Sequence, residues 1–544
     1  MRMTGGQALV RSLIQYGVDT IFAIPGVQLD HLFNAFYDER NRVRIIQTRH
    51  EQGTAYMAFG YAQSTGRVGT CAVVPGPGLL NATGALSTAY ACNAPVLCVS
   101  GQIPSTAIGR GFGMLHEIPD QLGMLRSVTK WAARIGHPQL APEIVREAFR
   151  QLRTGRPRPV EIEMAMDILA QAADVDLLDP VAGYDRPSPD PDGIETAAKL
   201  LGNAAHPLIV VGGGIVEAGG AELAALAEML EAPVMLGRHT LGVIPSSHRL
   251  VVNPPAAHRL WADADVVLAI GTRLNPQVPT WGVDAGLKIV RIDIDPEEIT
   301  RAGRPTVGIL SDARKAVAAL VDAVPRHNRK RAGRDDEIAA ARAKADAAAA
   351  TLAPQRAFVD AIRAELPADG IFVEELTQVG YCARFMWTAE KPRKYISTGY
   401  QGTLGFGFAT AIGVKVGNPD VPVVAISGDG GFMYNVGELA TAVQQKVGLV
   451  TIVFNDNAYG NVRRMQQVDH GGKVLASDLH NPDFVKMAES FGAQGLRADG
   501  PEALRAALRR GFDTPGPTLI EVPMPVMPDP WHMLQLPAAR PKKA

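Results

Sequence analysis

Short uninterrupted apolar runs recur along this chain, separated by stretches with helical spacing. Residues 20–24 (TIFAI) and 43–48 are the first two runs, and a helix is expected over 54–64 (TAYMAFGYAQS). Residues 206–220 (HPLIVVGGGIVEAGG) read as a strand, a glycine turn and the start of a helix, and 265–273 and 289–295 add two strands. Further on, runs at 421–427 (VPVVAIS) and 449–454 flank a helix-like stretch at 435–446. Apolar runs that alternate with helices in this way are the pattern of parallel sheets covered by helix layers. Two stretches break the pattern: 170–193, rich in Asp and Pro, and 325–355, charged and Ala-rich, which reads as an exposed helix. The expected organisation is α/β, with three doubly wound parallel-sheet domains at 1–175, 190–325 and 355–544.

Composition narrows the function classes. The chain has 544 residues, of which 47% are hydrophobic, so three domains can each build a core. A net charge of −1 disfavours nucleic acid or an anionic membrane as the main partner. Cys71, Cys92, Cys98 and Cys382 show neither metal-ligand spacing nor a disulfide framework, which suits a reducing cytoplasm. Residues 1–17 have helical periodicity without the apolar core of a secretion signal, and no apolar run reaches the ~20 residues of a membrane span. A cytoplasmic protein without a membrane segment is expected.

Residues 428–460 carry the most chemistry. Gly428-Asp429-Gly430-Gly431 follows one apolar run, and Asn455-Asp456-Asn457-Ala458-Tyr459-Gly460 follows the next. This is one βαβ unit with a carboxylate at the C-terminal end of each strand, where open α/β sheets bind ligands. Two acidic side chains beside a glycine turn suit a hard divalent cation that also holds phosphate oxygens. The glycines admit backbone N–H groups to phosphate, and the helix N-terminus adds partial positive charge. A plain βαβ turn with Asp429 as a helix cap shares the Gly-Asp-Gly start, but not the spacing or the Asn-Asp-Asn end.

The segment resembles the diphosphate-binding motif of thiamin diphosphate (ThDP) enzymes. The resemblance implies that Asp429, Asp456 and the carbonyl of Ala458 bind Mg²⁺, with Gly428, Gly430, Gly431, Tyr459 and Gly460 around the diphosphate. Asp456 stands where the family more often has Asn, adding one negative charge. Arg49-His50-Glu51 resembles the family's segment whose Glu protonates N1′ of the aminopyrimidine, so that its 4′-imino group can deprotonate thiazolium C2. On the same comparison Pro75, Gly76, Pro77, Gly78 and Asn81 line the pyrimidine pocket. Residues 399–413 (GYQGTLGFGFATAIG) resemble another family segment. There Leu404 would wedge under the bent cofactor and the Gly402 carbonyl would accept the 4′-amino proton. Thr377 and Gln378 align with a diphosphate-contacting loop.

The resemblance runs over about residues 4–530, in the domain order of the acetolactate synthase, pyruvate oxidase and benzaldehyde lyase group. It implies a pyrimidine-binding domain, a central Rossmann-like domain and a diphosphate-binding domain. It also implies a homodimer or homotetramer in which Glu51 meets the metal carboxylates across a subunit boundary. Val27, Gln28 and His116 are expected to face the reacting carbon, and His116 can donate, accept or change charge near neutral pH. Trp531 and His532 are candidate lid residues, with an ordinary docked tail as the alternative. In the central domain Gly212-Gly213-Gly214 is not a complete dinucleotide fingerprint, and 251–260 lacks a Gly-His-Gly pattern. A vacant central domain is favoured there over FAD. The expected activity is a ThDP- and Mg²⁺-dependent lyase or carboligase, a decarboxylase or transferase acting on a small 2-oxo acid or 2-hydroxy ketone. The alternatives are a flavin-dependent oxidase of the pyruvate oxidase type and a non-catalytic subunit of the same fold.

Overall fold

The computed structural model describes residues 1–540. Three six-stranded sheets, all parallel, follow one another along the chain. The first runs in the order Arg44–Gln47, Thr20–Ala23, Gly69–Val73, Val96–Gln102, Val160–Ala165, Trp131–Ile135. Numbering strands within their own sheet, that order is 2-1-3-4-6-5. The third sheet repeats it: Tyr395–Ser397, Ile371–Glu374, Val423–Gly428, Val450–Asn455, Thr518–Pro523, Gln494–Arg497. The middle sheet differs: Val251–Val252, Val234–Leu236, Pro207–Val211, Val266–Ile270, Lys288–Asp293 and Val307–Leu310 give 3-2-1-4-5-6. In the outer sheets strand order reverses between strands 1 and 3, which opens a crevice at their C-terminal ends.

The outer domains share a core. Helix Glu51–Thr65 is apolar on all sides and almost wholly buried, as a helix with no solvent face must be. It packs on Phe406–Gly417, where Tyr56 and Phe59 meet Phe406 edge to face at 5.6 and 5.4 Å between ring centroids. A Cβ on Gly60 would strike the Thr410 carbonyl, and one on Gly413 the Met57 carbonyl, so the two backbones touch. The central domain keeps a separate core.

Two elements differ from the sequence reading. The stretch expected as one helix over 435–446 is helical only from Glu438 to Gln444; Asn435 ends a 3-10 turn, Met433–Asn435, that follows a separate helical turn, Asp429–Phe432. Asn435 turns its amide away to the Gly405 carbonyl at 2.6 Å, and Gly437 precedes the last helix. The charged segment does form a helix, Asp335–Ala348, but Ile338, Ala341 and Ala345 bury one face of it against Pro254–Trp261. Among the described residues no helix is long and apolar enough to cross a membrane.

Candidate active site

In the first domain the switch-point crevice lies between the turn after Thr20–Ala23 and the turn after Gly69–Val73. The former carries Gln28, 3% exposed, in the 3-10 turn Val27–Leu29. The latter carries buried Pro75 and Gly76. Gly76 has φ +57°, and any Cβ there would collide with the His116 carbonyl. The Gly76 N–H donates to Gln121 Oε1 at 3.0 Å, while Gln121 Nε2 donates to Glu163 at 2.7 Å, which fixes the amide. Gln28 Nε2 donates to the Leu115 carbonyl at 3.0 Å, leaving its Oε1 as acceptor for His116 Nδ1, also at 3.0 Å. Since an amide oxygen only accepts, Nδ1 of His116 carries a proton in this contact. Residues 28 and 116, distant in sequence, are joined directly.

Glu51 is the first residue of its helix, three residues earlier than the periodicity suggests, because His50 caps that helix through Nδ1 to the Gln52 N–H. Asn81 donates to Glu51 Oε2 at 3.1 Å. Gly78 lies beside Glu51, and a Cβ there would sit 3.3 Å from Oε1. Pro77 starts the following helix, Pro77–Ala91.

In the third domain the acidic pair sits beside the equivalent crevice, at the C-terminal ends of the third and fourth strands. Asp429 opens a helical turn after strand Val423–Gly428 and is 2% exposed. Asn481 donates to Asp429 Oδ2 at 2.6 Å and lies 3.1 Å from Asn455 Oδ1. Asp456 sits opposite on the next strand's end. Burial raises the Asp429 carboxyl above its usual range; burial and the nearby Asp429 charge push Asp456 up to about 6. A Cβ on Gly430 would lie 2.6 Å from the Tyr459 ring, and one on Gly460 would strike Asp456, so both glycines let the two turns close. Ala458 is buried and bridged to Asp478.

Thr377 caps helix Gln378–Met386 through the Gly380 N–H at 2.8 Å, and Gln378 Oε1 is buried without a partner. Gly428 and Gly402 are not crowded: added Cβ atoms would make only ordinary contacts, none nearer than 3.8 and 3.6 Å. Leu404 stands between Gly402 and Gly405, which have φ +58° and +80°. Buried Glu375 holds this loop, accepting from the N–H groups of Gly405 (2.7 Å) and Gly407 (2.9 Å) and from Ser427 Oγ (2.6 Å). Burial pushes its carboxyl up to about 7. A Cβ on Gly431 would press on that carboxylate at 2.5 Å.

Among the described residues no three His, Cys, Asp or Glu side chains cluster as metal ligands. A cation between Asp429 and Asp456 would rest on two carboxylates, a main-chain carbonyl and oxygens that it brings with it. That set suits Mg²⁺ rather than a transition metal. The uncrowded, half-buried glycine backbone at Gly428 and Gly402 fits the close approach of a polyoxyanion, and the unpartnered Gln378 oxygen leaves an acceptor for a donor on the same group. The sequence did not reveal Asn481 or the anchoring role of Glu375, since neither stands in a recognisable pattern.

The other candidates fall elsewhere. In the central domain a Cβ on Gly212 would strike the Gly271 carbonyl, and Gly214 packs on the Gly271 backbone, so two of the three glycines serve close packing. Asp293 is buried, Asp295 caps Pro296–Arg301 and pairs with Arg156 at 3.3 Å, and Arg273 lies over the Tyr400 ring. Trp531 is pinned by Asn461 at 3.0 Å and by Tyr381, and His532 faces the Ala348 carbonyl at 3.2 Å. Here the tail is a docked segment.

Comparison with known proteins gives three consecutive matches. Residues 3–124 match the N-terminal TPP binding domain of thiamine pyrophosphate enzymes, 194–320 the central domain, and 377–522 the C-terminal TPP binding domain. A probable 2-ketoarginine decarboxylase, AruI, of Pseudomonas aeruginosa is 36% identical over 96% of this chain and 94% of its own. A probable acetolactate synthase large subunit of Methanocaldococcus jannaschii is 32% identical over 96% and 92%. An acetolactate synthase large subunit of Corynebacterium glutamicum is 32% identical over 94% and 84%.

Proposed function

Since the chain belongs to the thiamine pyrophosphate enzyme family, we propose that it is a ThDP- and Mg²⁺-dependent decarboxylase or carboligase acting on a small 2-oxo acid or 2-hydroxy ketone. The observation that carries this reading is the pairing of Asp429, 2% exposed, with half-buried Asp456 at the C-terminal ends of the third and fourth strands of the third sheet, beside a glycine turn. Thiamin diphosphate, when bound, supplies carbanion chemistry next to a carbonyl. The chain's own residues bind, orient and move protons around it. Asp429, Asp456 and the Ala458 carbonyl hold Mg²⁺, and the N–H groups of the Gly428–Gly431 turn, with Thr377, Gln378, Tyr459 and Gly460, receive the diphosphate. Leu404 and the Gly402 carbonyl support the pyrimidine end. Glu51, steadied by Asn81, would share a proton with the pyrimidine nitrogen of the bound group. Pro75 and Gly76 wall the same pocket. Gln28 and His116 would face the reacting carbon, where Nε2 of His116 could take or return a proton.

A second copy of the chain completes the site in this proposal. Exposed apolar residues border both halves: Val27 (55%), Phe112 (64%) and Leu115 (61%) in the first domain, and Tyr434 (52%) and Val462 (51%) in the third. Such residues call for a covering surface. The test of function is a donor screen with ThDP and Mg²⁺, following CO₂ release and product mass together over pyruvate, oxaloacetate, benzoylformate, glyoxylate, 5-guanidino-2-oxopentanoate and an acyloin. Turnover of at least one donor is expected. Absence of CO₂ release and of acyloin cleavage with every one would contradict the proposal.

A further inference from the structure

The chain just ahead of Glu51 leaves the edge strand Arg44–Gln47, so its next N–H groups lack a strand partner on one side. Buried N–H groups need acceptors. Arg49 and His50 find theirs in the other cofactor domain. Glu438, 1% exposed, accepts from the Arg49 N–H at 3.1 Å (Oε1) and 3.3 Å (Oε2) and from the His50 N–H at 2.9 Å. Thr441 Oγ completes its shell at 2.6 Å. The carboxylate thus lies at the N-terminus of helix Glu51–Thr65, where negative charge is favourable. Gly53 makes room for it: a Cβ there would stand 2.5 Å from Glu438 Oε1.

One turn earlier, Asn435 donates to the Gly405 carbonyl at 2.6 Å and lies 3.3 Å from Gln52 Oε1. Farther along, Gln444 meets Arg49 at 3.1 Å and Gln47 at 3.3 Å. Residues 435–444 therefore grip the segment 47–52 along its length and, through Gly405, the loop that carries Leu404. Asp429 precedes this segment in the chain, in the helical turn Asp429–Phe432. The glutamate and the glycine loop are thus fixed to one another by hydrogen bonds rather than by general apolar contact alone.

We infer that Glu438 is a positioning residue: it sets the start of the Glu51 helix, and hence the aim of Glu51, without touching cofactor or substrate. This rests on the reading of Glu51 and the ThDP site given above. The test uses the full-length protein as wild type, Glu438→Ala, Glu438→Gln and Gly53→Ala. Three quantities are read: amide hydrogen exchange over residues 44–54 without cofactor, ThDP affinity by calorimetry with Mg²⁺, and exchange of the C2 proton of bound ThDP. Glu438→Ala is expected to speed amide exchange about tenfold, keep affinity within about threefold and slow C2 exchange about tenfold. Glu438→Gln keeps an acceptor oxygen and is expected to return all three to within about threefold of wild type. Gly53→Ala displaces the carboxylate without removing it and is expected to match Glu438→Ala, which covers a Glu438→Ala protein that does not fold. Unchanged C2 exchange despite faster amide exchange would overturn the inference, as would equal losses of affinity and C2 exchange, the mark of a clamp with no aiming role. If wild type takes up no ThDP, the reading of the site itself fails, and that is seen before any variant is compared.

Discussion

Glu51 and Glu375 are two carboxyl groups that the fold treats differently. Glu51 is half-exposed at a helix start, with one amide donor, placed to serve a ring nitrogen. Glu51→Gln should leave ThDP affinity largely intact while slowing C2 proton exchange about 100-fold or more; an unchanged exchange rate would remove Glu51 from this role. Glu375 is fully buried and its carboxyl is pushed from 4.5 to about 7 in the folded chain. Folding therefore binds a proton here, and the residue's contribution is complete below pH about 4.5 and lost as pH rises through about 7. In cofactor-free protein, urea unfolding across that window should show a stability decline that Glu375→Gln lacks. Equal slopes in the two proteins would contradict it. Of these two, Glu51 was legible from its neighbours Arg49 and His50. The grip of Glu375 on Gly405 and Gly407 was not, because it spans 30 and 32 residues and leaves no local pattern.

At the level of elements, hydrophobic runs located the strands well, since a strand buried on both faces is apolar on successive residues. The motif ends fell at the C-terminal ends of Val423–Gly428 and Val450–Asn455, as the βαβ reading expects. The helix between them was overextended, because periodicity cannot register that Asn435 leaves the helix to bond Gly405. Likewise the close approach of Glu51–Thr65 and Phe406–Gly417 is invisible to periodicity, although Gly60 and Gly413 sit in plain view as small residues. Gly413→Ala should force the two backbones apart and cost about 1–3 kcal/mol in urea unfolding, the usual range for overpacking. A stability equal to wild type would show that the contact is slack.

Over the whole molecule, two sheets share one strand order, and a third with a different order stands between them in sequence. Which groups meet depends on how loops fold within a domain and how domains pack, and sequence spacing says nothing about it; Gln28 with His116 is a case of the first and Glu438 with the His50 N–H of the second. The exposed apolar residues bordering both halves predict a dimer or tetramer at micromolar concentration in light scattering, and a monomer would contradict that. In the proposed site the 428–460 turn pair holds a magnesium diphosphate. Calorimetric titration of ThDP into wild type and Asp429→Asn, with and without Mg²⁺, tests it most directly. One ThDP per chain is predicted for wild type with Mg²⁺, with binding severely weakened by chelation or by Asp429→Asn. No binding to wild type, or equal binding to the variant, would contradict the account.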